Sequence, residues 1–252
     1  MSLAICLQHQ VESEEKAERL RGLLDDVARV TFLDEPDNRA YCWFRKSSHS
    51  TLEGPWIAGF ELYDNEAALT TVHRSSTEYQ AMRKASAEEQ LWGKVYPEII
   101  FLEPLDDSGF VNKDSRSSLF FKECRSTFVV LTRFEVEDAD KELLYQTLSN
   151  LGGSLRLEHD VVSYLPLVRR DGKSLVVTVF EQYGSEEAYN SLTGNLEPLK
   201  SALESPKWKV DITTWSDGIG HIRGTESSKP KVLQSEAPAV FFVATPASSV
   251  KA

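Results

Sequence analysis

The chain has 252 residues, 41% hydrophobic and 10% aromatic, enough for two small packed domains or one larger one. Its formal net charge of −11 argues against nucleic acid as a partner, because a phosphate backbone calls for clustered Lys and Arg. Cys6, Cys42 and Cys124 are scattered without paired spacing and read as free thiols of a reducing compartment.

The N-terminal run lacks a basic flank and reads as a strand rather than a signal peptide. No apolar stretch approaches the roughly 20 residues that cross a bilayer. These features predict a cytoplasmic protein with no membrane partner.

Leu3–Gln8 is the first expected strand. Ser13–Val30 follows as a helix with Ala17, Leu20, Leu24, Val27 and Ala28 on one face, and Val30–Leu33 closes it. Glu35-Pro36-Asp37-Asn38 is turn chemistry. Ala40–Arg45 and Trp56–Tyr63 read as a hairpin of strands around a Ser- and Gly-bearing loop. Helices are expected over Asn65–Val72 and Ser76–Met82, and a strand over Glu98–Glu103. The order is β-α-β-β-α-β, that of a ferredoxin-like module.

The order is expected again in the second half. Thr127–Phe134 reads as a strand and Ala139–Leu151 as a helix stopped by Gly152-Gly153, with Leu143, Leu144, Thr147, Leu148 and Leu151 inward. Val161–Val168 and Ser174–Tyr183 form a hairpin around Arg170-Asp171-Gly172. Glu186–Leu192 and Leu196–Glu204 are helices, and Trp208–Trp215 is the closing strand.

Phe60–Val72 set over Phe180–Leu192 gives five identities in thirteen: Phe, Glu, Tyr, Glu and Ala. That offset of nearly half the chain reads as one module written twice. The expected fold class is therefore α+β, two ferredoxin-like β-α-β-β-α-β repeats packed sheet to sheet as a pseudo-dimeric α/β barrel. The expected boundaries are 1–105 for the first repeat, 106–126 for a linker, 127–220 for a second, degenerate repeat, and 221–252 for a largely irregular tail carrying one apolar patch, Val240–Ala244.

The run Phe60-Glu61-Leu62-Tyr63, Asn65-Glu66-Ala67-Ala68-Leu69 and His73-Arg74-Ser75-Ser76-Thr77-Glu78-Tyr79-Gln80 resembles the antibiotic biosynthesis monooxygenase (ABM) domain. The family shows an aromatic-Glu-x-aromatic strand end, an acidic-Glu-Ala-Leu helix start and a His-x-x-Ser-x-x-aromatic segment. The second copy is looser, with Thr193 standing for His73 and Leu196 for Ser76. The resemblance implies a monooxygenase without cofactor or metal, using molecular oxygen on an aromatic polyketide-type phenol or anthrone-like metabolite. The same barrel also hosts isomerases, decarboxylases and non-catalytic binders, and further homodimerisation is compatible with it.

On that resemblance His73 is the catalytic candidate, as base or hydrogen-bond donor. The alternative is a helix-end histidine bonding a nearby carbonyl. Trp43, Trp56, Phe60, Tyr63 and Tyr79 are candidates for substrate binding; each is equally the kind of residue that packs a core. Glu61 reads as a solvated or capping carboxylate, and Arg39, Arg45 and Arg133 as surface charges or phenolate partners. His159, Tyr164, Trp208 and Trp215 are the materials for a rival second-half pocket. A catalytic site calls for a closed apolar pocket of about 300 Å³ or more with His73 on its wall. Filling of that space by Trp43, Trp56 and Phe60 would exclude one. The Gly218–Gly224 run resembles a dinucleotide loop only faintly, since its spacing is wrong and no helix follows.

Overall fold

The computed structural model describes residues 2–93, 96–105, 108–113, 118–121, 127–169 and 176–224. Cys124, the Arg170–Gly172 turn and the Val240–Ala244 patch lie outside the described residues. The described residues form nine strands: β1 (Leu3–Gln10), β2 (Asn38–Lys46), β3 (Trp56–Tyr63), β4 (Phe101–Pro104), β5 (Leu119–Phe120), β6 (Phe128–Val136), β7 (Val161–Arg169), β8 (Val176–Tyr183) and β9 (Trp208–Ile222). The α-helices are α1 (Glu14–Asp34), α2 (Thr77–Glu88), α3 (Lys141–Leu157), α4 (Glu186–Asn195) and α5 (Glu197–Glu204). No helix of the described residues is long and apolar enough to cross a membrane.

Eight strands close an antiparallel barrel in the order β2-β3-β1-β4-β7-β8-β6-β9, with β9 pairing back onto β2. Two seams join the halves edge to edge. The β4–β7 seam is short, Leu102↔Arg169 to Pro104↔Leu167, whereas β2–β9 runs from Ala40↔Ile222 to Lys46↔Trp215. β9 therefore extends well past the expected Trp215. Its first part pairs with β6, and its second part crosses to β2.

The glycines that faintly resemble a dinucleotide loop belong to this second part. A Cβ at Gly220 would stand 1.9 Å from the Tyr41 carbonyl, and its φ is +98°. Only glycine permits that approach and conformation.

Strand alternation divides the core in three. Leu3, Ile5, Tyr41, Trp43, Ile57 and Tyr63 face α1 and α2, and Phe134, Val161, Tyr164, Val177 and Val179 face the second-half helices. Ala4, Cys42, Phe44, Phe60, Leu131, Phe180 and Trp215 fill the barrel interior. There Phe60 and Phe180 stack with ring centroids 3.9 Å apart and planes within 9°. The barrel is packed at its centre, so binding space must be sought under the helices.

The helices differ from expectation in instructive ways. Ser13 caps α1 by accepting from the Lys16 N–H at 3.2 Å, and the buried stripe continues through Thr31, carrying the helix to Asp34. α3 does not stop at Gly152-Gly153 but passes through both. Gly152 is there because a Cβ would stand 2.1 Å from the Ser108 carbonyl. Leu144, Leu148, Leu151 and Leu155 face inward, while Leu143 is exposed and Thr147 half-buried. The expected Asn65–Val72 helix is a π turn over Ala68–Val72 followed by a 3-10 turn over His73–Ser75. The expected linker also makes structure: Phe110 bridges Tyr164, and β5 adds to β9.

Candidate active site

A cavity of about 220 Å³ lies between the outer face of β1–β3 and the helices α1 and α2. Ile5, Leu7, Leu24, Leu69 and Met82 give it apolar walls, and Tyr41, Trp43, Tyr79 and Trp92 give it aromatic ones. It is smaller than the roughly 300 Å³ expected of a ligand pocket, and His73 is on its wall.

His73 is fixed from one side by Glu35. Its Nδ1 lies 3.0 Å from Glu35 Oε2 and 3.3 Å from Oε1, and both residues are buried. A carboxylate only accepts, so Nδ1 carries a hydrogen, and in the neutral imidazole Nε2 is then the acceptor. Nε2 has no hydrogen-bond partner among the described residues. Tyr41, Tyr63 and Tyr79 surround the imidazole at ring distances of 5.3, 5.7 and 4.8 Å.

Among the described residues two further buried polar atoms on the wall also lack hydrogen-bond partners, the Tyr41 hydroxyl and Trp43 Nε1. The two rings meet edge-on at 5.9 Å, but neither atom completes a hydrogen bond of normal geometry. Buried polar atoms are rarely left alone. Three on one cavity are what a site looks like when its ligand supplies the partners.

Glu61 completes the polar set. It is buried on the cavity wall, contrary to the expectation of a solvated carboxylate, and accepts from Tyr63 Oη at 2.8 Å. Burial is the main cause that raises its pKa, against the lowering effects of His73 and the Tyr63 hydrogen bond. Burial and the nearby Glu61 charge push the Tyr41 phenol well up, so it remains a donor.

The same register positions in the second half are closed. Tyr164 stands opposite Glu181 across β7–β8 as Tyr41 stands opposite Glu61 across β2–β3. Tyr164 Oη donates to the Leu148 carbonyl at 3.0 Å, whereas Tyr41 Oη has no partner. Glu181 accepts from Tyr183 at 2.5 Å and Thr132 at 2.8 Å; at Thr132's register position the first half has Leu7.

Trp43 pairs with Gly59, and Pro166 with Val179. A Cβ at Gly59 would stand 2.6 Å from the Trp43 ring. The indole lies across β3 only because residue 59 has no side chain.

Of the residues expected to bind substrate, Trp43 and Tyr79 line the cavity with His73. Tyr63 lies behind it, orienting Glu61. Phe60 and Trp56 are not on the cavity. Phe60 alternates to the barrel interior, and half-buried Trp56 packs on that interior cluster with its Nε1 donating to the Glu53 carbonyl. Arg45 pairs with Glu14 and Glu18, Arg133 pairs with Glu135, and neither they nor Arg39 line the cavity.

The second-half candidates form no pocket together. His159 is exposed, Tyr164 and Trp208 are core, and Trp215 is inside the barrel. Cys6 and Cys42 are free and face that interior. Burial pushes the Cys6 thiol up to about 12, so it is no poised nucleophile. Among the described residues no three His, Cys, Asp or Glu side chains form a metal-binding group.

No family profile matches the sequence, and no curated protein matches it. Solved structures do. A Lactobacillus acidophilus NCFM protein provisionally named a monooxygenase aligns over 88% of this chain and 98% of its own, with a TM-score of 0.68 and 15% identity. A similarly named protein of Fusobacterium nucleatum aligns over 88% and 94%, with a TM-score of 0.69 and 10% identity. A protein described as anthrone oxidase-like aligns over 91% and 96%, with a TM-score of 0.50 and 12% identity. At these identities the likeness is one of fold.

Proposed function

We propose that the protein is a cofactor-independent, monooxygenase-like tailoring enzyme acting on an electron-rich phenol or anthrone-like aromatic, on a chain that is one module duplicated. The observation that carries the reading is His73, held at Nδ1 by Glu35 and unpartnered at Nε2 on the wall of an aromatic cavity. Conservation of the barrel in monooxygenase-named structures supports it by fold analogy alone.

In this reading Nε2 takes the proton from an activated C–H or phenolic O–H. Trp43 Nε1–H and Tyr41 O–H are positioned to donate to the oxygen on which negative charge develops. The anion passes one electron to O₂. The resulting radical and superoxide couple to a peroxide, and loss of water leaves a carbonyl, so that CH₂ plus O₂ becomes C=O plus H₂O. The apolar walls keep water from quenching the anion.

A second reading is favoured by Glu61. A buried carboxylate with a raised pKa, near His73, makes an acid–base pair fit for isomerisation, cyclisation or decarboxylation without oxygen. Oxygen uptake by metal-free protein with anthrone or a naphthol, wild type against His73→Ala, separates the two. A fall of at least about tenfold, some 1.4 kcal/mol of transition-state stabilisation, supports the oxygenase. Ligand binding and turnover with no uptake by wild type would leave the non-oxidative reading, and binding without turnover a binder.

A further inference from the structure

Arg74 and Arg83 both line the cavity, and among the described residues neither closes a salt bridge with a carboxylate; the charge of Arg74 acts on Glu61 of the same wall only at longer range. In a chain of net charge −11 that is unusual company for two cations. Each guanidinium instead rests on a ring, Arg74 over Phe101 at 5.9 Å and Arg83 over Tyr96 at 5.4 Å. Tyr96 lines the cavity and is 43% exposed, which places the Arg83 pair at its open side; Phe101, 37% exposed, holds Arg74 from outside the cavity. The ring contacts hold the cations without neutralising them. The inner end is different: the unpartnered His73 Nε2 accepts, and Tyr41 and Trp43 donate.

Size narrows the ligand further. A cavity of about 150 Å³ accommodates benzene, so about 220 Å³ has room for roughly one more ring. We infer that the substrate is a hydroxylated one- or two-ring aromatic carboxylate, its phenol directed at His73 and its carboxylate held between Arg74 and Arg83. The inference rests on this cavity being the substrate site, and it narrows the phenol or anthrone-like reading to a small, anionic phenol. Guanidinium groups suit the task because their planar donors match a carboxylate's two oxygens.

The test is titration calorimetry with 6-hydroxy-2-naphthoate, whose two groups lie at opposite ends, and with 2-naphthol, which lacks the carboxylate. Wild type is expected to bind the acid at least about tenfold more tightly. That preference is expected to vanish in Arg74→Gln/Arg83→Gln and to shrink in Arg83→Gln, a change at an exposed side chain that leaves the fold alone. Added salt is expected to weaken the acid and leave 2-naphthol unmoved, because exposed charges are screened.

Equal affinity for the two compounds, or a preference that survives the double substitution, overturns the inference while leaving the oxygenase reading intact. Acid-selective binding without oxygen uptake would do the reverse. Failure to bind either compound overturns both.

Discussion

The guanidinium of Arg223 donates to the backbone carbonyl of Glu35 at 3.1 Å. It also donates to the carbonyls of Asn38, Thr31 and Phe32 at 2.7, 2.9 and 2.7 Å. A cation thus satisfies the open carbonyls at the end of α1 and fixes the turn whose carboxylate holds His73. Arg223 follows β9, so the second half of the chain braces the catalytic candidate of the first. Arg223→Gln leaves buried carbonyls unpaired and is expected to cost about 3 kcal/mol, read as a lower urea midpoint. Turnover should fall with it, because Glu35 loses its anchor. An unchanged midpoint would mean that the turn is held by other contacts.

Gly59→Ala puts a methyl group into the Trp43 indole, backbone-anchored on one side and ring on the other. Overpacking of this kind costs about 1–3 kcal/mol. The displaced indole should also close the cavity, so ligand affinity is expected to fall more than stability alone accounts for. Calorimetry on protein shown to be folded by near-ultraviolet circular dichroism checks this.

Phe60 gives the opposite signature. Its ring is stacked on Phe180 inside the barrel, where the two halves meet. Phe60→Ala is expected to cost about 3–5 kcal/mol in chemical denaturation. Phe60→Leu keeps the fold and should leave ligand affinity within about twofold, since the side chain never reaches the cavity. A large loss of affinity in Phe60→Leu would put substrate in the barrel.

Glu61 should leave a mark on the pH dependence of stability. Burial raises its folded-state pKa above the ordinary 4.5, so the native state holds a proton that the unfolded chain has released. Stability from this group is full below about 4.5 and is lost as pH rises through the folded value. Glu61→Gln keeps the neutral form at every pH. Denaturation midpoints of the variant are expected to fall less than wild type's as pH rises from 4.5 toward neutrality. Parallel curves would mean that Glu61 titrates normally.

Helical periodicity made α1 legible because Ala17, Leu20, Leu24, Val27 and Ala28 all face the sheet as spaced. Alternation along β2 puts Trp43 and Phe44 on opposite faces, as the two cores have them, and the ABM-like run pointed to His73. Glu35 carried no such signal. In sequence it is turn chemistry, and its contact with His73 spans 38 residues. Arg223, 188 residues from Glu35, looked like part of an irregular tail. The Gly152-Gly153 pair read as a stop because local propensity is silent about Ser108, whose close approach calls for glycine within a continuing helix. Glu61 was misread because acidic residues are usually solvated, and its burial depends on the helices laid over it.

A barrel assembled from two identical chains must build both of its halves alike. Here position 59 is glycine and position 179 valine, Leu7 pairs with Gly59 whereas Thr132 pairs with Val179 and bonds Glu181, and the two sets lie in one polypeptide. A mutation that plugs one side therefore leaves the other untouched. The molecule can keep one cavity in the first half while the same register positions of the second half serve packing alone, and each barrel is expected to bind one ligand rather than two.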